Sequence, residues 1–279
     1  MKKNLPVFLA IFMGLLVSCA SEKDYLIKIQ TRHGDMYAVL FDETPRHKNN
    51  FIELAQSGRF DSTDFHRVIE NFMIQGGDVF GKEGLPQDAW PTVPAEIKPG
   101  FMHSKGMFAA ARQGNNINPE RRSSGSQFYI VQGKVYTKDE LVTDMRQLSE
   151  TFFKYIQLAS NAELKETYSK LYDEERFDEL NDMMLKEKAN LEKFYSISLE
   201  KPMTAQQVEA YTTVGGTPHL DGEYTVFGQL IKGLDVLDKI AAEPTGPRDI
   251  PEEKVYMTVS VELLPRTKIE KEFGYIYQK

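Results

Sequence analysis

Two stretches of the chain carry polar side chains where a plain core strand would be apolar. They are Phe65-His66-Arg67-Val68-Ile69-Glu70-Asn71-Phe72-Met73-Ile74-Gln75-Gly76-Gly77-Asp78 and Ser124-Gly125-Ser126-Gln127-Phe128-Tyr129-Ile130. Within the second, strand alternation gives Gln127 and Tyr129 one face and sends Phe128 and Ile130 the other way, into a core. Arg67 is a permanently charged donor, and on composition alone it reads as half of a surface ion pair. Five histidines, His33, His47, His66, His103 and His219, invite a metal site. None forms a close His-x-x-x-His or Cys/His set, so no metal is expected, and His66 alternates away from Arg67 toward a structural role. Arg121 and Arg122, with Arg112, read as a solvated loop in preference to an anion-binding patch.

The elements around these stretches are β-rich at both ends of the chain. Tyr25–Gln30 and Met36–Phe41 alternate and are joined across His33-Gly34-Asp35, the pattern of an opening hairpin. Thr44-Pro45 opens a short helix with Phe51, Leu54 and Ala55 on one face and Gly58 as its stop. Val255, Met257, Val259, Val261 and Leu263 alternate with polar residues in a half-buried closing strand. Residues 136–210 differ in kind. Leu141, Met145, Leu148, Phe152, Ile156 and Ala159 recur at helical steps, as do Leu164, Tyr168 and Leu171, and then Leu180, Met184, Leu191 and Phe194. The segment has no Gly, no Pro before Pro202, and 10 Lys+Arg against 16 Asp+Glu. It reads as an inserted antiparallel helical hairpin, with a third helix opening at Thr204, where Gln207 has capping-box spacing. For its aromatic and Met residues, Phe152, Phe153, Tyr155, Tyr172, Phe177, Met183 and Met184, core packing is the default and adhesion to unfolded chains the alternative.

The 279 residues are 41% hydrophobic and 27% charged, with 34 Lys+Arg, 41 Asp+Glu and one cysteine. This excludes disorder, a collagen-like repeat and a disulfide scaffold. A net charge of −7 argues against nucleic acid as the main partner. Lys2 and Lys3 precede a 13-residue apolar stretch, Leu5–Val17, too short to span a bilayer comfortably. Leu16-Val17-Ser18-Cys19 resembles a bacterial lipobox. It implies a signal peptide over 1–18, lipidation of Cys19, a tether over 19–24 and an extracytoplasmic protein anchored to a membrane.

The first polar stretch resembles the cyclophilin signature F-H-R-x-I-x-x-F-M-x-Q-G-G-D, and the second resembles the family's G-S-Q-F-[FY]-I strand. Leu220-Asp221-Gly222-Glu223-Tyr224-Thr225-Val226-Phe227-Gly228 is similar to its L-D-G-x-[HY]-x-V-F-G segment, and Pro94-Ala95-Glu96 and Gly106–Ala111 add support. The resemblance implies a mainly β fold: a closed eight-stranded antiparallel barrel capped by two α-helices. It divides into a first part over 25–135 and a second over 211–265, interrupted by the helical arm and followed by a tail over 266–279. Because the arm falls between the Gln127 strand and the Leu220 loop, it is expected to stand beside the groove.

The activity implied is peptidyl-prolyl cis-trans isomerisation, with no cofactor and with unfolded or extended proline-containing polypeptides as clients. By the same resemblance Arg67, Phe72 and Gln75 are catalytic. Phe72, Met73, Tyr129 and Leu220 would hold the proline ring, Gln75 and Gln127 the flanking backbone, and Ala111 with Arg112 would offer backbone groups. Phe227 would support the pocket from behind. His219 stands where Trp is common, Tyr224 where His is common and Arg112 where Asn is common, which bears on peptide preference. The rival reading is a non-catalytic holdase that binds such segments through groove and arm.

Overall fold

The structure, a computed structural model, describes residues 22–277; the expected signal peptide over 1–18 and the expected lipidation site Cys19 lie outside them. Alternating apolar residues build β1 (Lys23–Thr31) and β2 (Gly34–Leu40), paired so that Ile27 faces Ala38 and Ile29 faces Met36, all turned inward. Pro45 opens α1 (Pro45–Gln56), which buries Phe51, Ile52, Leu54 and Ala55. Thr44 sits at its N-cap, but its hydroxyl donates to the Phe41 carbonyl instead of capping the helix. There follow β3 (Thr63–Asp64), β4 (Arg67–Ile69), β5 (Met73–Gly76), the short α2 (Val79–Lys82), β6 (Thr92–Val93), β7 (Met107–Ala110), β8 (Ser123–Ser124) and β9 (Phe128–Val131). After the arm come β10 (Val226–Lys232), α8 (Leu234–Ala241) and β11 (Tyr256–Pro265).

The main sheet is antiparallel throughout, in the order β3-β11-β1-β2-β10-β7-β9-β5-β4. Its two terminal strands are consecutive pieces of one chain run, separated only by Phe65 and His66. The first piece pairs with β11 and the second with β5, so the sheet curls until one split strand bridges its ends. The curled antiparallel sheet with helices against it is the architecture the resemblance implies. Phe60, Phe65, Phe108, Phe128, Ile130 and Phe227 fill the inside, and α1 and α8 add their apolar faces to the same core. Each fully buried side chain of this size is worth about 1.5–3 kcal/mol relative to exposure.

The arm holds α3 (Lys138–Leu141), α4 (Met145–Tyr155), α5 (Ala162–Asp173), α6 (Phe177–Tyr195) and α7 (Ala205–Thr213). Its helical content is richer than a simple hairpin. α4, α5 and α6 share their own core of Leu148, Phe152, Ile156, Leu171, Leu180, Met184 and Leu191, separate from that of the barrel. Capping boxes start α3 (Thr137 with Glu140) and α7 (Thr204 with Gln207). Where the arm leaves and rejoins the barrel its two ends touch, through bridges from Gly216 to Lys134 and to Ser104. Beyond β11, α9 (Arg266–Phe273), Tyr275 and Tyr277 pack over Leu26 and Val39 on the outer face of β1 and β2.

Candidate active site

The outer face of the sheet is where the polar residues gather, because alternation commits their neighbours to the core. Ile74, Phe128, Ile130, Phe108 and Phe227 face inward, whereas Met73, Tyr129, Val131, Ala109 and Val226 form a second apolar cluster outside. Strand register then lines up one row across five strands: Arg67 opposite Gln75, Gln75 opposite Tyr129, Tyr129 opposite Ala109, Ala109 opposite Val226. Above this row lies a cavity of about 540 Å³ lined by Arg67, Phe72, Met73, Gln75, Ala111, Arg112, Gln127, Tyr129, Leu220 and Tyr224.

The polar groups in the groove are partly engaged already. The Gln75 amide donates to the Gln127 side-chain carbonyl at 3.2 Å, which leaves Gln75's oxygen and Gln127's amide nitrogen for other partners. His66 sits with Nε2 3.5 Å from the same Gln75 nitrogen, and burial holds its imidazole below the usual value. Arg112 lies over the Tyr224 ring at 4.5 Å and donates to the Glu223 carbonyl and carboxylate, so its side chain is held to the wall. Ala111 departs from the expectation that its backbone serves a substrate. Its N–H donates to the Gln127 carbonyl and its carbonyl accepts from the Ser124 N–H. The backbone of Arg112 takes no part in those two bonds.

Apolar contacts shape the pocket. Tyr129 is 4% exposed, meets Tyr224 edge-on at 5.8 Å and stacks on His103 at 6.1 Å. Burial pushes its phenol well above the ordinary range, so the ring acts as an uncharged wall. His219, expected to bind substrate, is not among the residues that line the cavity; it stacks on Phe72 at 5.5 Å, and burial lowers its pKa, which favours the neutral ring. Phe227 does not reach the groove: it packs among His47, Phe51 and Phe108 in the barrel core, while its neighbour Val226 takes the outward place.

Two features were not visible beforehand. Arg67, with 43% of its side chain exposed, donates through Nε to Asp249 at 3.1 Å, from a loop 182 residues away. The cavity is also lined by Trp90, Gln113, Ile117 and Asn118. Trp90 is the chain's only Trp, set in a Pro-rich loop, and was the one available signal.

The arm contributes no residue of 136–210 to the groove lining described above, but it is joined to the site. Tyr211 of α7, fully buried, donates to the Asp221 carboxylate at 2.7 Å, and Gln207 donates to it at 3.2 Å. The His103 N–H donates to both Asp221 and the Tyr211 oxygen. Asp221 follows Leu220 directly, and His103 backs Tyr129, so this node fixes both sides of the pocket. Burial alone would raise Asp221, but bonds from His103 and Tyr211 outweigh it and hold the carboxyl below its ordinary value. Tyr211→Phe is expected to cost about 1.5–3 kcal/mol at pH 7 in urea unfolding. Because the folded pKa is the lower one, this stabilisation is present above the unfolded carboxylate value of about 3.9 and fades as pH falls through the folded value. The gap between parent and variant should therefore narrow in acid; a gap that is constant with pH would contradict the assignment.

A groove of this make on the outer face of a curled antiparallel barrel belongs to the cyclophilin fold. A sequence model of the family described as "Cyclophilin type peptidyl-prolyl cis-trans isomerase/CLD" matches residues 26–168 and 196–261. A protein of Streptococcus pyogenes provisionally named a bifunctional phosphatase/peptidyl-prolyl cis-trans isomerase is 32% identical over 82% of this chain, which spans 37% of that relative's length. A Staphylococcus saprophyticus protein provisionally named a peptidyl-prolyl cis-trans isomerase is 30% identical, with 80% of this chain and 84% of that protein covered. The crystal structure of a cyclophilin type peptidyl-prolyl cis-trans isomerase from Cryptosporidium parvum shares the fold, with a TM-score of 0.50 at 19% identity over 88% of this chain and all of the other. The chain belongs to the cyclophilin-type peptidyl-prolyl cis-trans isomerase family.

Proposed function

We propose that the chain accelerates cis-trans isomerisation of X–Pro bonds in exported proteins, with Arg67 as the donor that favours the twisted amide. The observation that carries this reading is the cross-strand row in which Arg67 and Gln75 adjoin the apolar pocket around Tyr129. The X–Pro barrier of about 18–20 kcal/mol is the loss of amide resonance as the carbonyl rotates out of plane. In the twisted state the prolyl nitrogen becomes pyramidal and regains a lone pair. A guanidinium donating to it binds that state better than the planar one, which is the condition for lowering the barrier. A 10⁵-fold acceleration needs about 7 kcal/mol, more than one hydrogen bond supplies. The remainder falls to desolvation and to a clamp: Phe72, Met73, Tyr129 and Leu220 on the ring, Gln75 and Gln127 on the backbone.

Asp249 supports this role by engaging Nε, which leaves the terminal nitrogens of Arg67 for the substrate. The loop that presents it holds Arg248 and Asp249 at φ 65° and 60°, left-handed backbone that costs non-glycine residues about 1–3 kcal/mol each. Asp249→Ala should lower kcat about three- to tenfold with little change in KM, and Asp249→Asn, which keeps an acceptor for Nε, should recover most of it. Equal loss in both variants, or none in either, would count against this role. The reading is tested by following the refolding of an exported protein limited by an X–Pro bond, with catalytic amounts of the full chain and of the Arg67→Ala variant. A refolding rate that neither changes contradicts it.

Anchoring is part of the same proposal and rests on the Leu16-Val17-Ser18-Cys19 sequence. In a bacterial host, labelled fatty acid should enter the parent but not Cys19→Ser, and the variant should leave the membrane fraction. An unlabelled parent contradicts the anchor.

A further inference from the structure

The arm carries three exposed aromatic rings outside its own core, linked by Tyr168, which packs against that core beside Phe152. Phe153, Tyr172 and Phe177 are 54%, 56% and 52% exposed. They form a continuous ribbon over α4, α5 and the start of α6: Phe153 meets Tyr168 edge-on at 6.4 Å, Tyr168 stacks on Tyr172 at 6.1 Å, and Tyr172 meets Phe177 edge-on at 6.0 Å. The inner faces of the same helices are already satisfied by Leu148, Phe152, Leu171, Leu180 and Met184. Phe153, Tyr172 and Phe177 lie outside that core and present an apolar strip to solvent.

The charge around the strip indicates what would cover it. Asp173, Glu174 and Glu175 lie directly between Tyr172 and Phe177, all exposed, followed by Asp178 and Glu179. Residues 162–182 hold eight acidic side chains against three basic ones. One of the three, Arg176, is tied to Glu174 at 2.8 Å and Glu179 at 2.6 Å. Such a field repels anionic lipid surfaces, nucleic acid and a second copy of the same acidic face. It attracts lysine and arginine, which also sit favourably over aromatic rings.

We propose that the ribbon Phe153–Tyr168–Tyr172–Phe177 with its acidic tip is a docking surface for extended polypeptide segments in which basic residues alternate with apolar ones. The surface deepens the isomerase reading by naming the kind of client segment the arm takes, but it needs no proline, so each fails separately. The test uses the full chain and a fluorescein-labelled peptide of about 15 residues, free of proline, in which Lys and Arg alternate with Val and Ser; its control has Glu at every basic position. Anisotropy should show the basic peptide binding about tenfold tighter than the acidic one, with the difference shrinking as salt rises. The exposed-site variant Phe153→Ser/Tyr172→Ser/Phe177→Ser should weaken that binding about tenfold, and Asp173→Asn/Glu175→Gln about threefold, while isomerisation of a short X–Pro peptide is unchanged. The proposal is overturned if both peptides bind alike, or if neither variant weakens the basic one. It is also overturned if the triple variant abolishes a concentration-dependent dimer of the parent, for then the occupant is a second copy.

Discussion

Arg67→Ala is expected to lower kcat/KM for a short X–Pro peptide by about 10²–10³, the loss typical of removing one donor aimed at a transition state. The fold should tolerate the change. Arg67 makes one hydrogen bond, to Asp249, with both side chains 43% exposed, and such pairs contribute about 0–1 kcal/mol. Activity should therefore fall while the unfolding midpoint stays nearly in place. The loss should appear chiefly in kcat, because the pocket of Phe72, Met73, Tyr129 and Leu220 is untouched and still binds the proline ring. Steady-state kinetics beside a urea titration separate the two. A large rise in KM with kcat unchanged would mean that Arg67 binds the ground state instead.

Gly216→Ala is expected to destabilise the protein by about 4 kcal/mol, from left-handed backbone strain combined with overpacking. Gly216 has φ +152°, and it lies where the two ends of the arm meet the barrel. A Cβ there would press on the His103 carbonyl oxygen and stand 2.7 Å from the Tyr211 ring and 2.8 Å from the Ser104 Cα. Two of those three obstacles are backbone, and the third is fully buried, so none can swing aside. Gly222→Ala is the control: its φ of +74° is also left-handed, but nothing lies within 4 Å of an added Cβ. It should cost only about 1 kcal/mol. Similar unfolding midpoints for the two variants would show that the crossing point of the arm is looser than the structure has it.

The parts of this molecule that depend on local pattern were legible in its sequence. Period-two alternation gave the β1–β2 hairpin, and it put Gln127 and Tyr129 outside with Phe128 and Ile130 inside. The capping box at Thr204 and Gln207 was readable from spacing alone. The break between α4 and α5 was not, because apolar residues at Ile156 and Ala159 keep the helical rhythm through the turn at 159–161. Nor were the contacts that hold the groove in shape. Asp249 reaches Arg67 across 182 residues, and Tyr211 reaches Asp221 from an element that the barrel pattern does not include. Ala111 shows the limit of carrying roles over by motif: residue type survives the transfer, but whether a backbone group is free depends on neighbours such as Ser124.

The central claim is that the groove over Arg67 and Tyr129 catalyses rotation about an X–Pro bond. Exchange spectroscopy by NMR on a short Ala-Pro peptide tests it directly, since cis and trans signals exchange magnetisation only as fast as the bond turns. Uncatalysed exchange takes tens to hundreds of seconds and gives no cross-peaks on the NMR timescale. The account predicts that a catalytic quantity of the full chain produces cis-trans cross-peaks, and that Arg67→Ala removes them at the same concentration. Cis and trans signals that shift on binding yet never exchange would show a groove that holds proline peptides without turning them, and would contradict the account.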